Sequence, residues 1–190
     1  MIKNQLSEVR KMNHWTTCPS PIGTITLACS DDNLSGLWLD GQKYHSAGMP
    51  KSATKRSDLP IFGSAMKWLD RYFSGENPSL LELPLSPVGS LFRQGVWGIL
   101  REIPYGEVTT YGDIAKKMAA RMGLEHMSAQ AVGGAVGHNP ISIIIPCHRV
   151  VGTGGSLTGY AGGIGIKVKL LEAEGVDMSQ LSVPKKGTAL

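Results

Sequence analysis

The segment IIIPCHRVVG, residues 143–152, constrains this chain more than any other stretch. Three consecutive isoleucines read as a strand buried on both faces. Pro146 halts it, and Cys147, His148 and Arg149 follow at once. The chain therefore ends a buried strand on its most nucleophilic side chain, beside its best base at neutral pH. An unperturbed thiol is only a few per cent thiolate at pH 7, so a reactive one needs a base or a cation nearby. Neighbours on a strand face opposite sides. His148 would thus serve Cys147 only across a turn after Pro146 or through a bridging water. The competing reading is a buried cysteine beside a structural histidine.

The bulk properties narrow the class. The 190 residues suffice for one or two compact domains, and 42% hydrophobic with 18% charged residues is ordinary for a globular chain. The net charge of +4 divides into +1 up to residue 87 and +3 beyond it, permissive for nucleic acid without arguing for it. Cys18, Cys29 and Cys147 lie far apart, which fits a reduced compartment. The first fifteen residues hold no apolar signal core, and no apolar run approaches the ~20 residues needed to cross a bilayer. The expectation is a cytoplasmic protein, or a nuclear one in a eukaryote. With no C-x-x-C, no H-E-x-x-H and scattered histidines, no metal site is expected. The glycine-rich GTGGSLTGYAGG matches neither phosphate-binding template and reads as a loop over a cleft.

Turn signals and periodicity give the organisation. TTC, GTITLAC and LSGLWL read as a three-stranded meander, with residues 46–58 polar and irregular. Phe62, Met66, Leu69 and Phe73 mark an amphipathic helix ended by Gly75. LLELPLSPVGS reads as one more strand and then a linker. Phe92, Val96, Ile99, Leu100 and Ile103 share a helical face. Thr110 can cap the next helix, with Asp113 placed well against its dipole and Gly123 at its end. Ser128 can cap a third, SAQAVGGAVG, and the pair forms a helix-turn-helix. In that third helix Ala129, Ala131, Gly133, Gly134 and Ala135 leave almost no side chains, at roughly 1 kcal/mol per interior glycine. Either the rod packs tightly on another helix, or it must approach a foreign backbone closely. KVKLLEAEG is a last short helix, and the remainder reads as a loose tail. The fold class expected is α/β (α+β). A small N-terminal α/β domain with a short antiparallel sheet would span residues 1–87. A mostly helical, winged-helix-like domain would span 88–176, and a flexible tail 177–190.

At this point four segments in order, FRQGVWGILREIPYGEVTTYGDIA, AVGGAVGHNPISIIIPCHRVV, GSLTGYAGG and KVKLLEAEG, resemble the methylated-DNA–protein-cysteine methyltransferases, the O-6-alkylguanine-DNA alkyltransferases. SPIGTITLACSDDNLSGLWLDG is similar to that family's weaker N-terminal domain. The resemblance implies irreversible transfer of an alkyl group from O-6 of guanine, and less readily from O-4 of thymine, to Cys147, one turnover per molecule and without a cofactor. It implies His148 as the base acting through water, and Glu174 as the carboxylate orienting it. Asn139 matches a hinge asparagine. Tyr111 matches a tyrosine that rotates the 3′ phosphate and donates to the guanine ring, although an aromatic packing a helix start remains open. Tyr160 matches the alkyl pocket, with the backbones of Cys147, Val150 and Ala161 on the guanine edges. Arg149 is expected in an ion pair. The implied partner is double-stranded DNA bearing alkylated guanine, its nucleotide flipped out through the minor groove, bound by a monomer. Thr110, Tyr111, Ala129, Gln130, Ala131, Gly133 and Gly134 would face that DNA.

The sequence departs from the family pattern in two places. Gln130 stands where the family usually has an arginine that fills the hole left by the base. The stretch from Tyr111 to Gln130 is longer than the short form and adds Lys116, Lys117 and Arg121. Ser30 and Ser35 stand about where some relatives have zinc ligands, so no zinc is expected. The competing functions are a lesion-binding sensor without transfer, which Cys147 argues against, and a cysteine hydrolase.

Overall fold

The computed structural model describes residues 12–184. Its N-terminal part is a four-stranded sheet with one helix, and its C-terminal part is mostly helical, the mixed α/β arrangement expected. Strands β1 (Asn13–Cys18), β2 (Ile25–Ser30) and β3 (Asn33–Leu39) form the antiparallel meander read from the sequence. A fourth strand, β4 (Thr54–Lys55), pairs parallel to β1 inside the stretch read as irregular. Two exposed residues carry no periodicity, so sequence offers nothing to find it by.

Helix α1 (Pro60–Phe73) starts on a proline and lies against β2 and β3. Its buried stripe is Ile61, Phe62, Ala65, Trp68, Leu69 and Tyr72, rotated from the Phe62–Met66–Leu69–Phe73 face expected; Met66 and Phe73 pack only at its margin. The strand read into LLELPL is instead a 3-10 turn, Leu80–Glu82, closed by a Ser79–Glu82 capping box. Only Leu85 bridges to Leu34. The local side-chain bonds of Ser79 and Glu82 win over extended pairing there.

Three helices follow: α2 (Leu91–Leu100), α3 (Tyr111–Met122) and α4 (Ala129–Gly137), all packed on one another. The caps are those expected: Thr110 accepts from Asp113 N, Ser128 from Ala131 N, and Gly123 is left-handed at φ 65°. The helix-turn-helix of α3 and α4 is therefore set by local chemistry. Strands β5 (Thr109–Thr110) and β6 (Val150–Val151) pair in parallel, and α5 (Ile164–Ala173) closes the domain. One hydrophobic core runs from Leu27 and Leu37 of the sheet through Phe62 to Trp97, Val132 and Ile144.

The isoleucine run is not a strand. Ile143 has φ 69°, Ile144 N bonds Ser142 O and Ile145 N bonds Ile141 O, so the segment is a knot of turns. It docks on the edge of β3, where Leu37 N donates to Pro140 O and Ser142 N to Leu37 O. Apolar run length reports burial, and burial here comes without a ladder. The expected loose tail also departs from its reading as far as Pro184. Leu157 N donates to Ser182 O, Ser182 N to Gly155 O, and Met178–Gln180 form a 3-10 turn. The rest of the tail lies outside the described residues. Among the described residues no helix is long and apolar enough to cross a membrane.

Candidate active site

Cys147 opens a 3-10 turn, Cys147–Arg149, directly after Pro146. That turn is one of the two devices the sequence left open for His148 to serve Cys147; the other is a bridging water. Asn139, at the exit of α4, holds the knot that precedes it. Its Nδ2 donates to Ile145 O at 2.8 Å and reaches Ile141 O at 3.3 Å, while its Oδ1 accepts from Ile141 N at 3.1 Å. The same Nδ2 lies 3.1 Å from Cys147 Sγ. One amide thus replaces the missing strand partner and points a donor at the thiol.

Behind the thiol, His148 Nε2 lies 2.7 Å from Glu174 Oε1, both side chains fully buried. Arg149 donates its Nε to Glu174 Oε2 at 2.7 Å and Nη2 to Oε1 at 3.0 Å, with Nη1 on Ile103 O at 2.7 Å. Burial alone would raise the Glu174 carboxyl. The bonds from His148 and Arg149 outweigh it and hold the group down at about 2. An ionised carboxylate can only accept, so Nε2 must carry the proton it donates. In the neutral ring Nδ1 is then the bare nitrogen, and it has no hydrogen-bond partner among the described residues. Burial lowers the His148 pKa, opposed by Glu174, so the resting imidazole is neutral. Burial also raises Cys147, opposed by the Asn139 bond and the charge of Lys167. The resting site holds a thiol and a neutral imidazole that share no hydrogen bond among the described residues.

Lys167 was missed in the sequence. It is fully buried, with Nζ donating to Val150 O at 2.5 Å and Thr158 O at 3.0 Å. Burial pushes it down to about 8, with Cys147 pulling the other way. Its position one turn before the buried Leu170 and Leu171 of α5 was the available signal: a lysine on an apolar face. Tyr72 was also missed; its hydroxyl donates to Glu174 Oε1 at 2.7 Å from α1, 102 residues upstream.

A cavity of about 620 Å³ is lined by Tyr111, Ala129, Gln130, Gly133, Gly134, Tyr160 and Ala161, with Lys43 and Tyr44 reaching in from the sheet side. Tyr44 stacks on His138 at 3.9 Å between ring centres, a contact with no sequence signal. Tyr111 does start α3, but its hydroxyl crosses to Gly159 O at 2.9 Å, and burial raises it to about 12. Tyr160 Oη is buried without a hydrogen-bond partner among the described residues. Cys147 itself is 3% exposed and is not among the lining residues; neither is Val150, whose carbonyl already receives Lys167. Thr110 and Ala131 lie outside the cavity, Thr110 occupied as the α3 cap and Ala131 exposed on α4. Arg121 pairs with Glu102 and Lys116 with Asp113. A Cβ added at Gly134 would meet nothing within 4 Å, and one at Gly133 only the Tyr111 ring at 3.8 Å. Packing on another helix therefore does not explain the glycines.

A helix-turn-helix lines the cavity, and a buried His148–Glu174 pair follows Cys147 directly, the arrangement of a DNA-binding protein built around one cysteine. Residues 13–87 match the family model described as "6-O-methylguanine DNA methyltransferase, ribonuclease-like domain", and residues 91–176 the model "6-O-methylguanine DNA methyltransferase, DNA binding domain". The methylated-DNA–protein-cysteine methyltransferase of Mycobacterium tuberculosis is 44% identical over 163 residues, covering 86% of this chain and 93% of the relative. That of Haemophilus influenzae is 40% identical over 161 residues, 85% and 86% covered. A crystal structure of Mycobacterium tuberculosis OGT in complex with DNA superposes with a TM-score of 0.74 at 42% identity, covering 85% of this chain and 92% of that one. This chain belongs to the 6-O-methylguanine DNA methyltransferase family.

Proposed function

We propose that Cys147 takes the alkyl group from O-6 of a guanine in DNA, in one displacement that consumes the protein. The observation that carries this is Cys147 Sγ, held by the Asn139 donor at 3.1 Å one residue before a His148 whose Nε2 is tied to Glu174 and whose Nδ1 has no partner among the described residues. The thiol proton passes to Nδ1, through water, as sulfur attacks the alkyl carbon. The S–C bond forms as the C–O bond breaks, and the guanine leaves with its negative charge spread over O-6 and the ring. Imidazolium forms against Glu174, as in a Ser-His-Asp triad with sulfur in front. A thioether offers no leaving group for regeneration, which separates this chemistry from a hydrolase.

The guanine reaches the cavity flipped from the duplex, with α4 in the minor groove. The open space beside Gly134 supports the close approach, and Gln130 on the same cavity rim would hydrogen-bond the orphaned cytosine. Tyr111 lines the entry and Tyr160 the alkyl pocket, with the Ala161 backbone on the guanine edge; Cys147 and Val150, closed off behind the lining, would meet the guanine only after it has displaced that wall. We assign residues 1–87 to the sheet domain and 88–176 to the DNA-binding transfer domain, and a monomer to the active form. The three free, buried cysteines support a reducing, cytoplasmic setting.

Incubation with O-6-benzylguanine and intact-mass analysis tests the reaction. One benzyl group per molecule at Cys147 is the expected result, and continuous release of product would replace this reading with the hydrolase. Two further outcomes separate DNA from chemistry. Gln130→Arg restores a longer, charged wedge and should speed single-turnover repair of alkylated duplex severalfold, leaving the free-base reaction unchanged; an equal or slower duplex rate counts against the wedge role. Gly134→Leu crowds the cavity rim that the duplex must approach, and should slow duplex repair at least tenfold with a much smaller effect on benzylguanine transfer. A parallel loss of both activities would place Gly134 in the fold instead.

A further inference from the structure

We infer that Tyr72, on helix α1 of the sheet domain, is a positioning residue for alkyl transfer that tunes His148 through the oxygen they share on Glu174. The inference rests on the alkyl-transfer reading above and adds a member to its relay. Tyr72 Oη donates to Glu174 Oε1 at 2.7 Å, the oxygen that His148 Nε2 also contacts at 2.7 Å, and Tyr72 Oη is 3.5 Å from Nε2 itself. With Arg149 Nη2 at 3.0 Å, three donors converge on Oε1, while Oε2 takes Arg149 Nε at 2.7 Å and Gly106 N at 3.3 Å. The carboxylate is saturated, and one of its donors comes from the other end of the chain.

The bland alternative is a buried phenol that has found any acceptor, as buried tyrosines do. Two features argue for more. First, the ring is fixed on three sides: stacked on Trp68 at 5.6 Å, and edge-on to Phe73 at 5.3 Å and to Tyr105 at 6.2 Å. The hydroxyl therefore has one aim. Second, that aim is the atom that stabilises the imidazolium formed during transfer. Each donor on Oε1 draws charge away from the His148 bond and so reduces the proton affinity of the imidazole. Together with burial and the Arg149 and Lys167 charges, and against Glu174, Tyr72 holds His148 in its neutral, proton-accepting form to lower pH than it would otherwise keep.

Tyr72→Phe keeps the ring and removes the donor. The readout is the pH profile of single-turnover transfer from free O-6-benzylguanine, which involves no DNA contact. Loss of the hydroxyl should raise the acid limb by about half a pH unit, giving a rate about threefold lower on that limb and unchanged on the plateau. A profile that superposes on the parent's, or one scaled uniformly at every pH, overturns the inference and leaves alkyl transfer standing. A parent protein that forms no adduct removes both. Should Tyr72→Phe not fold, NMR of the parent protein decides. A slowly exchanging Tyr72 hydroxyl proton with a cross-peak to the His148 Nε2 proton is expected, and its absence overturns the assignment.

Discussion

Cys147→Ala folds, still binds alkylated duplex, and takes up no alkyl group at any time. The loss is total rather than partial because a single displacement has no step left once the acceptor is gone. A hydrolase stripped of its nucleophile keeps a residual rate from binding and charge stabilisation, ~10³–10⁴ over water. Folding survives because the change is a small truncation at a 3% exposed site, worth on the order of 1–2 kcal/mol. Asn139 keeps its bonds to Ile145 O and Ile141 O, so the preceding knot stays tied. Cys18 and Cys29 offer no substitute: burial raises all three thiols, but nearby carboxylates raise these two further, Asp70 at Cys18 and Asp32 and Asp31 at Cys29, whereas at Cys147 the Asn139 bond and the Lys167 charge oppose it. Intact mass after prolonged incubation with O-6-benzylguanine, with fluorescence anisotropy on lesion-bearing duplex, checks both halves. An adduct on the variant would move the acceptor elsewhere and end the assignment of Cys147.

The same residues show how far the sequence was legible. Helix starts and stops were readable because caps are local: Thr110 with Asp113, Ser128, and Gly123 act within four residues. The meander was readable because hairpin turns and β-rich runs alternate in order. The isoleucine run misled because it shows burial without saying what supplies the hydrogen bonds. Here one side chain, Asn139, does so from outside the run. Tyr72 and Lys167 stayed hidden for a related reason. Their partners lie 102 and 17 residues away, and a tyrosine or lysine within a helix has an ordinary solvated or packed reading that only tertiary contact can displace. What the resemblance supplied for His148 and Glu174 was a pairing across 26 residues, which no periodicity contains.

Glu174→Gln should combine the largest stability loss with a large kinetic one, and pH separates them. Replacing the carboxylate leaves the buried Arg149 guanidinium without its counter-charge, at a cost of about 3–5 kcal/mol at pH 7. Transfer should slow by about 10²–10⁴, because an amide neither fixes the His148 tautomer nor stabilises the imidazolium. The pH dependence follows from the depressed carboxyl, about 2 in the fold against an ordinary 4.5. A depression of that size corresponds to about 3 kcal/mol. A group lowered by folding contributes stability that is whole above its unfolded value and is lost as pH falls toward its folded one. His148, also lowered from 6.5, acts in the same direction, its contribution lost as pH falls below that value. Denaturant unfolding of the parent should therefore weaken steadily from about pH 6 towards pH 2. The gap between parent and Glu174→Gln should be widest near neutrality and narrow below about pH 4.5, where the carboxyl of the unfolded parent takes up its proton while the folded one, at about 2, stays ionised. A gap that stays constant across that range would mean that Glu174 is not held ionised by Arg149 and His148. The bare Nδ1, and the proton path from Cys147 that depends on it, would then have no foundation.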